Sequence, residues 1–353
     1  MKEVLDTIVI GGGQAGLASG YHLQKKGLRF LILEASDQAA GSWPRYYDSL
    51  KLFSPARFSS MPGKKFPGEP NGYPKRDEVI HYLQDYRAQY QLPVKPNQRV
   101  ASVGRDGDEF TARTMTGDTF RARTIINATG SFHNPYMPAI PGQEAFKGRF
   151  LHSSEYRNPE SFNYQRVVVV GRGNSAVQIG VELAEVSKTS LAVLRPVQFV
   201  KPRLLGQEVH FWVRVIGFDT FPFWWFGKTA PSSSGVNDSG QYKEKVAAGK
   251  PDQQPMFSSF YEGGVIWPNG TKEPVDTVIF ATGYRPHLPY LAAIGALDAE
   301  GTPLHKAGIS DVPGLYYVGL EGQRSFASAT LRGVGPDAAF VVGKLLRLRH
   351  LKS

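Results

Sequence analysis

The chain has 353 residues, 41% of them hydrophobic, a formal charge of +10 and no cysteine. The length exceeds what one hydrophobic core usually supports and argues for two domains. Without cysteine there is no thiol pair to pass electrons to a disulfide, and Lys and Arg are dispersed rather than clustered as a nucleic-acid footprint would require.

In chain order, the first signal is Thr7-Ile8-Val9-Ile10, a strand pattern that runs into Gly11-Gly12-Gly13-Gln14-Ala15-Gly16 and then a helical pattern. This is a dinucleotide fingerprint. Gly11 permits the tight turn, Gly13 lets backbone approach a pyrophosphate, and Gly16 allows close helix-strand packing, while the helix start at Gln14 and Ala15 supplies N–H donors and a positive dipole end. Phe30-Leu31-Ile32-Leu33 ends at Glu34, followed by Ala35, at the spacing of a ribose-binding acid. A carboxylate there accepts from ribose hydroxyls and repels a 2'-phosphate, so the first site suits FAD or NAD rather than NADP. Because the first apolar run is already this strand, no signal peptide is expected. No stretch approaches the roughly 20 uninterrupted apolar residues of a membrane span, and a cytoplasmic protein is the expectation.

Pro74-Lys75-Arg76-Asp77 precedes Val79, Leu83, Tyr86 and Tyr90 at helical spacing, which predicts a helix with Asp77 as N-cap. Residues 100–121, turning at Thr116-Gly117-Asp118, read as a small antiparallel element, with Val100 a candidate adenine contact. Thr124-Ile125-Ile126-Asn127-Ala128-Thr129-Gly130 reads as a doubly buried strand ending on a glycine, and Thr277-Val278-Ile279-Phe280-Ala281-Thr282-Gly283 echoes it. Both are expected where the chain leaves one nucleotide fold for the other, which makes Ala128, Thr129, Gly130, Ala281, Thr282 and Gly283 candidate cofactor contacts.

A second fingerprint follows Val167-Val168-Val169-Val170, as Gly171-Arg172-Gly173-Asn174-Ser175-Ala176. Gly171, Gly173, Asn174 and Ser175 are its candidate pyrophosphate contacts, and Ala176 replaces the third glycine. The position matching Glu34 falls at Leu194-Arg195. A guanidinium there pairs with an adenosine 2'-phosphate, although Arg195 also reads as a solvated strand end. Residues 210–226 are dense in aromatics, and three readings stand: the roof of an apolar substrate passage, a surface touching a membrane, or core between domains. Near the C-terminus, Gly314-Leu315-Tyr316-Tyr317-Val318-Gly319 reads as a last strand. Over 327–348, Ala338, Val341, Val342, Leu345 and Leu346 recur at helical spacing, and any helix before Pro336 is expected to be kinked or separate. The His residues are scattered, so no metal site is expected.

Between the fingerprints, Phe146-Lys147-Gly148-Arg149-Phe150-Leu151-His152-Ser153-Ser154-Glu155-Tyr156 has the form Phe-x-Gly-x-x-x-His-x-x-x-Tyr. With it, the chain resembles the class B flavoprotein monooxygenases, in their flavin-containing monooxygenase branch, over nearly its whole length. Gly41-Ser42-Trp43 matches the family's Gly-x-Trp, and Asp276 and Tyr284 frame its Ala-Thr-Gly pattern. His152 is read as ordering the domain link rather than touching substrate. The resemblance implies an α/β fold of two Rossmann-like dinucleotide-binding domains, with an NAD(P)H domain (151–271) inserted in an FAD domain (1–150 and 272–353). It implies FAD and NADPH as cofactors, NADH being acceptable as well, a small apolar substrate and O2 as partners, and it admits a homodimer. NADPH would reduce FAD, oxygen would add to the ring, and the flavin hydroperoxide would pass one oxygen atom to a thioether or amine, with sulfoxidation as the model reaction. Backbone amides at Ser328, Ala329 and Thr330 would face the ring. Phe53 would stand beside the flavin where many members carry Asn, so coupling is expected to leak. The Leu50-Lys51-Leu52-Phe53-Ser54-Pro55 context is similar to the plant auxin-forming branch. An NAD(P)H oxidase or electron-transfer flavoprotein releasing peroxide, and a non-enzymatic redox or ligand sensor, are the alternatives.

Overall fold

The computed structural model describes residues 4–231 and 235–350, with side chains to 347. Ile8 and Ile10 point to one face of the strand Leu5–Ile10 and Val9 to the other, and all three are buried, which is why the run reads as uninterruptedly apolar. Leu5–Ile10 pairs in parallel with Phe30–Leu33 on one side and Thr119–Asn127 on the other. Val94–Lys95 and Leu315–Tyr317 extend this parallel core outward. The helices Gln14–Lys25, Arg76–Gln89 and Leu331–His350 cover one face, packing Leu17, Leu83, Val334, Ala338, Val341 and Leu345 on Val9 and Ile32. Val100–Asp106 and Glu109–Thr114 form the antiparallel element, turning at residues 107–108, while the expected turn at residues 116–118 joins Glu109–Thr114 to Thr119–Asn127; Val103 and Phe110 pack on the opposite face.

The second sheet is parallel throughout, in the order Asp252–Pro255, Lys188–Val193, Arg166–Val170, Thr277–Phe280, Arg149–His152. Val167 and Val169 meet the helix Asn174–Leu183, while Val168 and Val170 meet Phe260, Val265 and Trp267 of a three-stranded antiparallel element. The fold is α/β with two Rossmann-like domains. Both expected boundaries differ from the sheet: Arg149–His152 and Thr277–Phe280 lie inside it, so the chain enters this domain before residue 149 rather than at 151 and leaves it after residue 280 rather than at 272. A strand bonded on both sides belongs to the sheet it completes, which a sequence echo does not reveal. The two crossings between domains are bonded to each other, Tyr136 N donating to Gly283 O and Arg285 N to Asn134 O, both at 3.0 Å.

Two local expectations are corrected. The N-cap of Arg76–Gln89 is Lys75, and Asp77 sits in the first turn paired with Arg76; Glu78 reaches back to the Lys75 N–H at 2.8 Å, and that acid three residues into the helix fixes its start. Leu331–His350 is one helix that contains Pro336. So near the N-terminus the proline removes a single backbone bond, the preceding turn having N–H groups without helical acceptors anyway.

Candidate active site and cofactor clefts

The first glycine turn is built by contacts that leave no room for side chains. A Cβ on Gly11, whose φ is +106°, would lie 2.7 Å from Ala128 O, and one on Gly16 would lie 1.8 Å from Gly11 O. Strand, turn and helix are thereby pressed together, and Ala128 and Thr129 abut the turn. Gly41, at φ +57°, faces Gly13 backbone to backbone, a Cβ there falling 2.9 Å from Gly13 Cα. Glu34 is buried; its Oε2 accepts from Gly12 N at 2.5 Å and its Oε1 from Ser36 N at 2.8 Å. The helix opened at Gly13 carries neither a side-chain cap nor an acid in its first turn. That leaves backbone donors and a dipole end facing a glycine-lined groove, which fits a pyrophosphate. Gln14 joins the distant pieces: Trp43 Nε1 donates to its Oε1 at 3.2 Å, and its Nε2 donates to Ala329 O at 2.5 Å. Gly319, whose added Cβ would meet the Ala15 Cβ at 2.7 Å, belongs to the same cradle, and only its place at the end of the last strand hinted at it.

At the C-terminal end, Ala329 adopts φ +70°. The Ser328 and Thr330 amides are used inside the loop, donating to Ser325 O and Ala327 O at 3.1 Å each, so of the three expected donors only Ala329 is not committed to these turn bonds. Ser328 Oγ holds the loop by accepting from Arg324 N and Ser325 N. Val100 is buried and pairs with Thr114 at the start of the antiparallel element.

The second turn repeats the first with one relaxation. Gly171, at φ +138°, lies against Ala281 O, which a Cβ would approach to 2.5 Å, and Gly173 opens onto free space. The helix Asn174–Leu183 also begins uncapped and without first-turn acids. Asn174 Oδ1 accepts from Asn237 N at 3.2 Å, and Ser175 lies within hydrogen-bonding reach of Tyr47, whose hydroxyl is held well above its ordinary pKa chiefly by burial. Tyr47 OH also donates to Gln178 at 3.0 Å, docking the first domain on this helix. Arg195 is exposed at the end of Lys188–Val193. Its neighbour Arg203 is engaged, pairing with the buried Glu208 at 3.3 Å. Between the domains a cavity of about 220 Å3 is lined by Ser42, Arg45, Phe132, Arg157 and Tyr284 among others. His152 Nε2 bonds Gly283 O at 3.0 Å across the link, and burial lowers its pKa, so it orders the crossing. Thr282 Oγ1 donates to Tyr136 O in that crossing.

Sequence left residues 210–226 open; the structure shows them as a strap. They leave the second domain and lie on the first, with Phe218 on Phe326 at 5.1 Å and Trp224 on Phe340 at 5.7 Å. Arg332 grips Asp219 through two bonds of 3.0 Å, both side chains nearly buried. His210 stacks against Phe53 at 6.3 Å and Phe58 at 6.0 Å. Burial foremost, with the nearby Arg332 charge, pushes His210 down to about 4, so it is neutral at pH 7. Phe53 itself is partly exposed. None of these partnerships has a local sequence signal.

Residues 8–204, more than half of the chain, match the pyridine nucleotide-disulphide oxidoreductase family. The chain belongs to that family. Among its relatives, this oxidoreductase is 33% identical to an uncharacterized CzcO-like oxidoreductase of Geobacillus kaustophilus, over 98% of this chain and 99% of that one. It is 28% identical to the indole-3-pyruvate monooxygenase YUCCA4 of Oryza sativa subsp. japonica, over 99% and 89%. The flavin-containing monooxygenase of Stenotrophomonas maltophilia superposes with a TM-score of 0.86 at 32% identity, over 98% and 99%. The oxidoreductase is thus a class B flavin-dependent monooxygenase that works with FAD and NADPH. With no cysteine in the chain, the disulphide branch of the family name does not extend to a dithiol relay here.

Proposed function

We propose that this monooxygenase takes NADPH in preference to NADH and oxygenates an uncharged soft nucleophile, a small thioether or amine. The observation that carries the reading is the uncharged aromatic wall of Phe53, His210 and Phe58, held where the strap meets the C-terminal end of the first domain. Bound FAD, reduced by the nicotinamide, supplies the oxygen chemistry, and the chain's own residues bind, orient and keep water out. Gly11, Gly13, Gly41 and the amides of Gln14 and Ala15 receive one pyrophosphate, with Ser42 and Trp43 beside it, Glu34 on the ribose, and Ala35 and Val100 toward the adenine. Ala128, Thr129 and Gly130 close that cradle, and Ala329 with the first amides of Leu331–His350 faces the ring. Gly171, Gly173, Asn174 and Ser175 receive the second pyrophosphate under Ala281, Thr282 and Gly283, and the exposed Arg195 reads the 2'-phosphate. Phe53 borders the ring and supplies no hydrogen bond there.

The test is stoichiometric. With a small aryl thioether in air, sulfoxide and hydrogen peroxide should both form, together accounting for the NADPH consumed, and Phe53→Asn should raise sulfoxide per NADPH. NADPH consumption that yields peroxide and no sulfoxide or N-oxide from any thioether or amine offered assigns the protein to the oxidases instead.

A further inference from the structure

The strap has a second face. Among the described residues, eight of the sixteen large hydrophobic side chains that are exposed fall within residues 200–226. Leu205, Val215, Ile216, Phe221, Trp225 and Phe226 are the outward ones, with Trp225 68% and Ile216 70% exposed. Phe221 and Phe226 stack nearly parallel, 5.7 Å apart, while their neighbours Phe218 and Trp224 point inward onto Phe326 and Phe340. The hairpin bearing Leu205 is tied to the helix Val209–Val215, since Trp212 Nε1 donates to Leu204 O at 2.8 Å. A concentration of this kind on an otherwise ordinary surface marks an interaction site.

Charge identifies the partner. Lys201, Arg214 and Lys228 are exposed in the same stretch, and Arg203, also exposed, is paired with Glu208. The acids of the same stretch, Glu208 and Asp219, are buried and neutralised by Arg203 and Arg332. Residues 200–228 therefore contribute apolar rings and net positive charge to the face and no exposed carboxylate of their own. A second copy placed on it by a two-fold axis would bring cations against cations. We propose that this face docks on an anionic lipid bilayer, the aromatic side chains entering the boundary between headgroups and acyl chains and the Lys and Arg side chains meeting the lipid phosphates. Docking there sets the strap, and the site it covers, against the phase in which apolar substrates concentrate.

The experiment is flotation of the flavin-loaded protein with vesicles of equimolar phosphatidylcholine and phosphatidylglycerol, compared with phosphatidylcholine alone. The protein should float with the anionic vesicles, less so at high salt, and should stay behind with the neutral ones. Lys228→Gln and Arg214→Gln should each weaken binding about fivefold, and Trp225→Ser combined with Phe226→Ser roughly tenfold or more. Leu205→Ser, on the separate hairpin, is an independent probe of the same face, and retained flavin absorbance shows that each variant is folded. Failure to float with the anionic vesicles at low salt overturns the proposal, as does equal flotation of folded variants and parent. A concentration-dependent dimer that the patch substitutions abolish also overturns it and assigns the face to a second copy.

Discussion

Gly13 and Gly16 stand three residues apart in one turn and fail in different ways. A methyl group on Gly16 has a carbonyl oxygen 1.8 Å away, so Gly16→Ala must push the helix off the strand. A Cβ on Gly13 has ordinary contact with Gly41 at 3.4 Å, and only the larger branches of Val occupy the groove. Gly13→Val is therefore expected to give folded protein lacking flavin, and Gly16→Ala protein of lowered stability; circular dichroism together with the visible spectrum separates the two, and a flavin-loaded Gly13→Val would refute the pyrophosphate role. Arg195→Ala should weaken NADPH by roughly tenfold or more with little change for NADH, as loss of a charge-assisted contact requires. Equal weakening of both nucleotides would remove Arg195 from the 2'-phosphate. His210 carries a pH signature. Its ordinary value of 6.5 falls to about 4 on folding, so below 6.5 the unfolded chain takes up a proton that the folded imidazole refuses. Stability should be full above about 6.5 and decline as the pH falls toward 4, by on the order of 3 kcal/mol from this group. His210→Phe, which keeps a ring between Phe53 and Phe58, should flatten that decline in denaturant unfolding; an unchanged slope would show that other groups cause it.

At the scale of elements, the clasp between Asp219 and Arg332 fastens the strap to the helix Leu331–His350. Asp219→Asn leaves a guanidinium buried without its charge partner, which typically costs about 3–5 kcal/mol. The expected result is a lowered melting temperature and, because the site is less well sealed, more peroxide per NADPH; a variant with parental stability and coupling would show that the clasp is ornamental. The strap also shows where sequence reading stops. The two strand-turn-helix units were legible because each signal is local: an apolar run buried on both faces, a glycine forced by a close carbonyl, an uncapped helix start. The acid at Glu34 was legible for the same reason. Asp219 and Arg332 are 113 residues apart, and His210 finds Phe53 across both domains, so nothing in either neighbourhood announces the partner. The Ser328 and Thr330 amides were misread for a related reason, since a loop's internal bonds cannot be counted before its shape is known.

For the whole molecule, the two domains were foreseeable from length and from the doubled fingerprint, whereas the exact return point was not, because Thr277–Phe280 resembles the strands of both sheets. What matters for turnover is how the sheets are joined. The crossings at 134–136 and 283–285 form a zipped ribbon, with His152 fastened to its middle through Gly283 O. Two independent strings would let the inserted domain wander. A laced pair restrains the inserted domain more than either crossing would alone, and the strap clasped by Asp219 and Arg332 adds a further tie. Any movement that changes the distance between the two nucleotide clefts must therefore work against a braced joint rather than against two loose linkers.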